Sequence, residues 1–143
     1  MQVEQISIFL ENKPGRLETV TRILKEANIN IRTLSVADTS DFGIVRLIVD
    51  QVAEAANVLK EQGYTFSRTS VVAVEVPDRA GGLHDILDIL HKAQVNIEYM
   101  YAFVERSGHN AVMLFRLDKP EEAIDALRLH NAVVLPGEAL YSL

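Results

Sequence analysis

Two short segments hold the residue types that could do chemistry in this chain: Asn12, Gly15, Arg16 and Leu17 in one, and Asp78, Gly81, Gly82, Leu83 and His84 in the other. Each lies where an alternating apolar run gives way to apolar residues at helical spacing, so each forms a strand-to-helix turn. The first backbone N–H groups of a helix lack intrahelical acceptors and sit at the positive end of its dipole, which makes such a turn a seat for a carboxylate. Gly15 and Gly81 let the backbone approach that guest closely, and Gly82 adds freedom in the second segment. Asn12 or Asp78 then offers an acceptor for an α-amino group. The same residues also suit a plain tight turn, with Asn12 and Asp78 closing Asx turns.

Other polar residues are weaker candidates. Asn30 and Asn96 stand at helix-to-strand junctions, where they serve either a ligand or the junction itself. His84, Asp88 and His91 fall at i, i+4 and i+7 on one helical face, a spacing that suits a metal. Glu18, Arg22 and Lys25 occupy the corresponding positions of another helix, the pattern of a solvated face, so no metal is expected and His84 is read as a ligand contact. His109 and His130 fall in a loop and at a helix end. With no nucleophile elbow, phosphate-binding loop or dinucleotide fingerprint, neither a cofactor nor a catalytic residue is expected. The enzyme alternative is a small ferredoxin-like unit acting on a phosphate or acyl phosphate, with Arg16 as anion clamp and Asn110 nearby. Against it, only Gly82 stands opposite Arg16, and no base accompanies it.

Composition narrows the partners. A net charge of −6, with mainly Phe9 and Phe115 as aromatics on the first and third strands, argues against nucleic acid. The chain has no cysteine, which removes disulfides and thiolate chemistry. It shows no signal-peptide pattern and no apolar stretch of membrane-spanning length, so a cytoplasmic location without a membrane partner is expected.

The elements that position these turns come twice. Leu10 to Ile31 aligns with Val76 to Ile97 at a constant offset of 66, and seven of the 22 pairs are identical. After an insertion of two residues around Arg106 to His109 the offset becomes 68, aligning Ile44 to Asp50 with Val112 to Asp118. Each copy reads as a strand (Ile6, Ile8, Leu10; Val72, Val74, Val76) and an amphipathic helix (Leu17, Val20, Leu24, Ala27; Leu83, Ile86, Leu90, Ala93). A second strand follows, then a turn (39–43; 106–110), a third strand, a second helix and a short fourth strand near Tyr64 to Phe66 or Ala132 to Leu135.

The predicted fold is therefore α+β: two ferredoxin-like βαββαβ units in tandem, 1–69 and 70–143, paired side by side into an eight-stranded antiparallel sheet with the helices on one face. Residues 138–143 lie outside the repeat. On the third strands Val45, Leu47 and Val49, with Met113, Phe115 and Leu117, should face the helices. Ile44, Ile48, Val112 and Leu114 would leave an apolar stripe on the other face, which predicts a homodimer.

The turn Asn12, Lys13, Pro14, Gly15, Arg16, Leu17, followed by Asn28, Ile29, Asn30 and Ile31, resembles the ACT domain, a small regulatory module that binds amino acids in many metabolic enzymes. Asp78, Arg79, Ala80, Gly81, Gly82, Leu83 and then Gln94, Val95, Asn96 and Ile97 carry the resemblance in the second copy. Ala80 in place of the proline and Gln94 in place of Asn28 set the two copies apart. The resemblance implies a free-standing sensor that binds a free amino acid and regulates an unlinked metabolic enzyme. Its ligand set would be Asn12, Pro14, Gly15, Arg16, Leu17 and Asn30 with Asp78, Ala80, Gly81, Gly82, Leu83, His84 and Asn96. Modules of this family pair through their second strands, which would bring Tyr99 and Tyr101 to the first turn.

Overall fold

The computed structural model describes residues 2–38 and 41–143. Thr39 and Ser40, part of the turn expected over 39–43, lie outside the described residues. The elements run β1 (Val3–Glu11), α1 (Arg16–Glu26), β2 (Ile31–Asp38), β3 (Phe42–Val49), α2 (Val52–Glu61), β4 (Phe66–Pro77), α3 (Gly82–Lys92), β5 (Ile97–Ala102), β6 (Asn110–Leu117), α4 (Pro120–Leu129), β7 (Val134–Leu135) and α5 (Gly137–Tyr141). They form two compact units, Glu4–Thr69 and Ser70–Leu143, the latter joined by the residues preceding Glu4.

In the Glu4–Thr69 unit, β3 lies between β2 and β1 with both ladders antiparallel, and the start of β4 runs beside β1. Phe9 N–H donates to the Thr65 carbonyl at 3.0 Å there, and Arg68 pairs with Glu4 at 2.6 Å. The Ser70–Leu143 unit repeats the arrangement: β6 lies between β5 and β4, and β7 pairs β4 on its other side. Both units thus place their strands in the order second, third, first, fourth, as a βαββαβ chain with right-handed crossovers must.

The described residues contain seven strands, not the eight expected. The fourth strand of the first copy and the first strand of the second are one: Phe66–Pro77 is a 12-residue strand, carrying β-branched residues across Thr69 where a connection was expected. The last strand, by contrast, shrinks to Val134–Leu135, because Pro136 ends the pairing and α5 follows at once.

Each unit buries one apolar core between its helices and one sheet face. Ile6, Ile8, Val20, Leu24, Leu47 and Leu59 lead the first, and Val72, Val74, Leu90, Phe115 and Leu127 the second. All four long helices end alike, on a left-handed residue: Asn28, Gly63, Gln94 and Asn131. The next residue then donates its N–H back to the last turn, as Ile29 does to Leu24 at 2.9 Å and Val95 to Leu90 at 3.0 Å, a Schellman closure that buries the apolar residue beyond it. Gln94, which departs from Asn28 in type, performs the same structural task.

Most of the predicted apolar stripe is not at the surface. Ile48, Val112 and Leu114 are at most 1% exposed within the single chain, and Leu140 of α5 is also fully buried. Three of the four residues that motivated a homodimer are therefore buried in folding, and Ile44 is left half-buried.

Candidate functional site

The first turn is built for a tight exit from β1. Lys13 N–H donates to the Glu11 carbonyl at 2.9 Å and Asn12 N–H to the Asp41 carbonyl at 3.0 Å. Gly15 then adopts φ +83°, a conformation that costs any side-chain-bearing residue, although a Cβ there would meet nothing within 4 Å. The Gly15 carbonyl accepts from both the N–H and the hydroxyl of Thr19, at 3.0 and 2.8 Å. No side chain caps α1, and Arg16 N–H donates to the Lys13 carbonyl at 3.3 Å. Leu17, expected to extend the apolar helix stripe, is 37% exposed at this open end.

Charge gathers on the same turn. The Glu11 carboxylate lies 2.9 Å from Lys13 Nζ and 3.7 Å from Arg16 Nη2. The Lys13 hydrogen bond, then the charges of Lys13 and Arg16, hold the Glu11 carboxyl below its ordinary range. Beside this pair opens a cavity of about 390 Å³ lined by Phe9, Glu11, Arg16, Thr19, Phe42 and Tyr64 among others. Phe9 and Phe42 sit on the helix-free side of adjacent strands, paired in register with Ile44 and Glu11. Glu11, Phe42 and Tyr64 are not among the site residues expected from the sequence. The signal was there, because Phe9 and Phe42 occupy strand positions whose side chains point away from the helices.

The second turn has the same backbone and different chemistry. Gly81 adopts φ +85° and its carbonyl accepts from Asp85 N–H at 3.0 Å. Gly82 is required for space rather than freedom: a Cβ there would lie 1.9 Å from the Pro77 carbonyl oxygen. The acceptor assigned to Asp78 is engaged by Arg106 at 2.8 Å, and Arg79 bridges to Asp85 at 2.9 Å. A smaller cavity of about 220 Å³, with Glu75, Pro77, Arg79, Asp85, Asn110, His130 and Ala132 in its wall, occupies the aligned place. In it the Glu75 carboxylate accepts from Ser107 Oγ and from Asn110 Nδ2, the latter at 3.0 Å. The two-residue insertion supplies this Ser107, since Ser107 and Asn110 exchange both backbone hydrogen bonds around Gly108 and His109. Of the two residues named for an anion clamp, Arg16 lies 3.7 Å from the Glu11 carboxylate and Asn110 donates to Glu75 at 3.0 Å.

The remaining candidates are scattered. Asn30 stands at the far end of α1 from the first turn, roughly 16 Å away at 1.5 Å per residue. Its N–H donates to Asp50 Oδ1 at 3.0 Å, and Asp50 N–H donates back to its carbonyl at 3.1 Å. Asn96 and Asp118 repeat this bracket at 2.9 and 3.2 Å, so both asparagines join a second strand to a third. Pro14, Ala80 and His84 are exposed at their turns, and Leu83 is 38% exposed like its counterpart. Asp88 pairs with Lys92 at 2.9 Å, and among the described residues no three His, Cys, Asp or Glu converge as metal ligands. Tyr99 and Tyr101 stand half-buried on the helix-free face of β5, in register with Arg116 and Leu114. No helix among the described residues is long and apolar enough to cross a membrane.

Comparison with known proteins places this geometry. Residues 1–142 match the ACT domain pair family. The chain is similar to protein BT0572 from Bacteroides thetaiotaomicron, with 37% identity and a TM-score of 0.93 over 100% of this chain and 98% of that one. It shares its fold with the regulatory subunit of aspartate kinase from Thermus thermophilus in ligand-free form, at 17% identity and a TM-score of 0.63 over 88% and 91% of the two chains. The corresponding subunit from Thermus flavus gives 15% identity and a TM-score of 0.61 over 88% and 90%. The chain matches no curated protein sequence.

Proposed function

This chain belongs to the ACT domain pair family, and on that premise we propose that it is a non-catalytic sensor that binds a free amino acid at its strand-to-helix turns. One observation carries the reading: both copies start their first helix without a side-chain cap, directly after a left-handed glycine. Those amides receive the carboxylate of the ligand, around Gly15 to Leu17 or Gly81 to Leu83. In this reading the two domains, 1–69 and 70–143, act together, and the chain regulates an unlinked metabolic enzyme through ligand-dependent contact. A homodimer belongs to the same proposal; Leu34 and Val36 of β2, 41% and 52% exposed, are among the apolar residues available for it.

The test is a thermal melt against the free amino acids. A ligand that binds only the folded chain, at 100 times its dissociation constant, adds about 2.7 kcal/mol and a visible upward shift. Gly15→Val or Gly81→Val should remove the shift from its own turn and spare the other. A wild-type melt unmoved by every free amino acid at millimolar concentration ends the sensor reading.

A further inference from the structure

The connection between β5 and β6 is tied back to the second strand-to-helix turn by three side chains. Arg106 Nη2 lies 2.8 Å from the Asp78 carboxylate, Ser107 Oγ donates to Glu75, and Asn110 Nδ2 donates to the same Glu75 carboxylate at 3.0 Å. Asn110 is fixed on β6 in register with Pro77, whereas Arg106 and Ser107 belong to the insertion. The tip that carries Ser107 is preformed. Ser107 and Asn110 exchange both backbone hydrogen bonds at 3.0 Å, and Gly108 between them adopts φ +61°, the positive φ that a two-residue hairpin loop asks of its first central residue. The other leg leaves from Phe103, 6% exposed, whose N–H donates to the Val112 carbonyl at 2.8 Å. Between these fixed points Val104, Glu105 and Arg106 are exposed and belong to no strand. The first copy has neither carboxylate: Phe9 aligns with Glu75 and Asn12 with Asp78 at an offset of 66.

We infer that this hairpin is a latch on the second turn: while Arg106 holds Asp78 and Ser107 holds Glu75 the turn is closed to a ligand, and it opens when the tip lifts. The inference rests on the sensor reading above and adds a gate to one of its two turns. The acceptor that an incoming ammonium group needs is the carboxylate that the Arg106 guanidinium already occupies, so two cations compete for one place. A ligand at this turn must first break the ion pair, and its affinity falls in proportion to the fraction of molecules in which the latch is open. An ion pair whose side chains are 66% and 49% exposed is weak enough to break readily. The Glu75 clasp, part-buried and made to a charged acceptor, supplies the larger part of the hold. The exposed residues 104–106 are the hinge, since they absorb a change in backbone angle without cost to the ladder.

Amide hydrogen exchange reads the latch without any ligand. In the double variant Arg106→Gln, Ser107→Ala, exchange should speed up at least about tenfold at the amides of Arg79, Gly82 and Asp85, which donate to the Pro77, Arg79 and Gly81 carbonyls. The amides of Thr19 at the first turn and Val95 at the far end of α3 should exchange as in the wild type. Sodium chloride at about 1 M, where the screening length is about 3 Å, should speed the same turn amides in the wild type and leave Arg106→Gln nearly unmoved. The gate is read by calorimetry with each standard L-amino acid in turn. The double variant should show binding at the second turn at least about tenfold tighter than the wild type does, and Gly81→Val should abolish the gain. Unchanged exchange at the three turn amides overturns the latch whatever the ligand. Faster exchange with no gain in binding, in a protein whose wild type binds an amino acid, overturns the gate and leaves the sensor reading standing. Binding by the unlatched variant alone supports both. Silence of the wild type and the unlatched variant toward every amino acid ends the sensor reading and the gate with it.

Discussion

At the residue scale, the aligned pair Arg16 and Gly82 shows how one position serves two purposes. Arg16 projects beside a groove, whereas Gly82 is pressed against the Pro77 carbonyl with no room for a side chain. Gly82→Ala should therefore force the β4-to-α3 turn apart and cost roughly 1–3 kcal/mol, read by urea denaturation. Arg16→Ala, exposed and bound only at its tip, should stay within about 0.5 kcal/mol. Equal costs at the two positions would contradict the close approach. The contrast at Asp78 is of the same kind: its sequence suggests a ligand acceptor, but the carboxylate is occupied by Arg106.

At the element scale, helix ends do most of the organising. Each long helix stops on a left-handed residue and hands the chain to a strand through an apolar residue that joins the core. In the junctions after α1 and α3, Asp50 and Asp118 each hold an asparagine backbone from both sides. Replacing Asp118 by Ala removes one of these bonds and should cost about 1 kcal/mol in chemical denaturation. Ligand affinity should not change, because the bracket lies at the opposite end of its helix from the turn. A drop in amino-acid affinity in Asp118→Ala, at unchanged stability, would restore Asn96 to the ligand set.

At the scale of the whole molecule, the helix-free side of the strands is the departure from expectation. Leu114 is fully buried inside the single chain, so Leu114→Ala should cost roughly 2–5 kcal/mol as any large core truncation does. That loss should be independent of protein concentration. A loss that grows on dilution would mean that a second copy covers this side after all.

The sequence by itself determined the order of elements, the repeat, the helix faces and the glycine turns, because hydrophobic periodicity and positive-φ positions are local properties written into neighbouring residues. The Glu4–Thr69 and Ser70–Leu143 units, with their shared strand order, follow from that local information and from the handedness of crossovers. Which polar residues meet is not local. Asn30 shares a motif with Gly15 in the chain, yet a helix of 11 residues holds the two apart. Phe9, Phe42 and Tyr64 are distant in the chain and meet in one groove only because β3 and the start of β4 flank β1. Strand pairing joins residues by register rather than by spacing, so the lining of the groove was a decision of the tertiary structure.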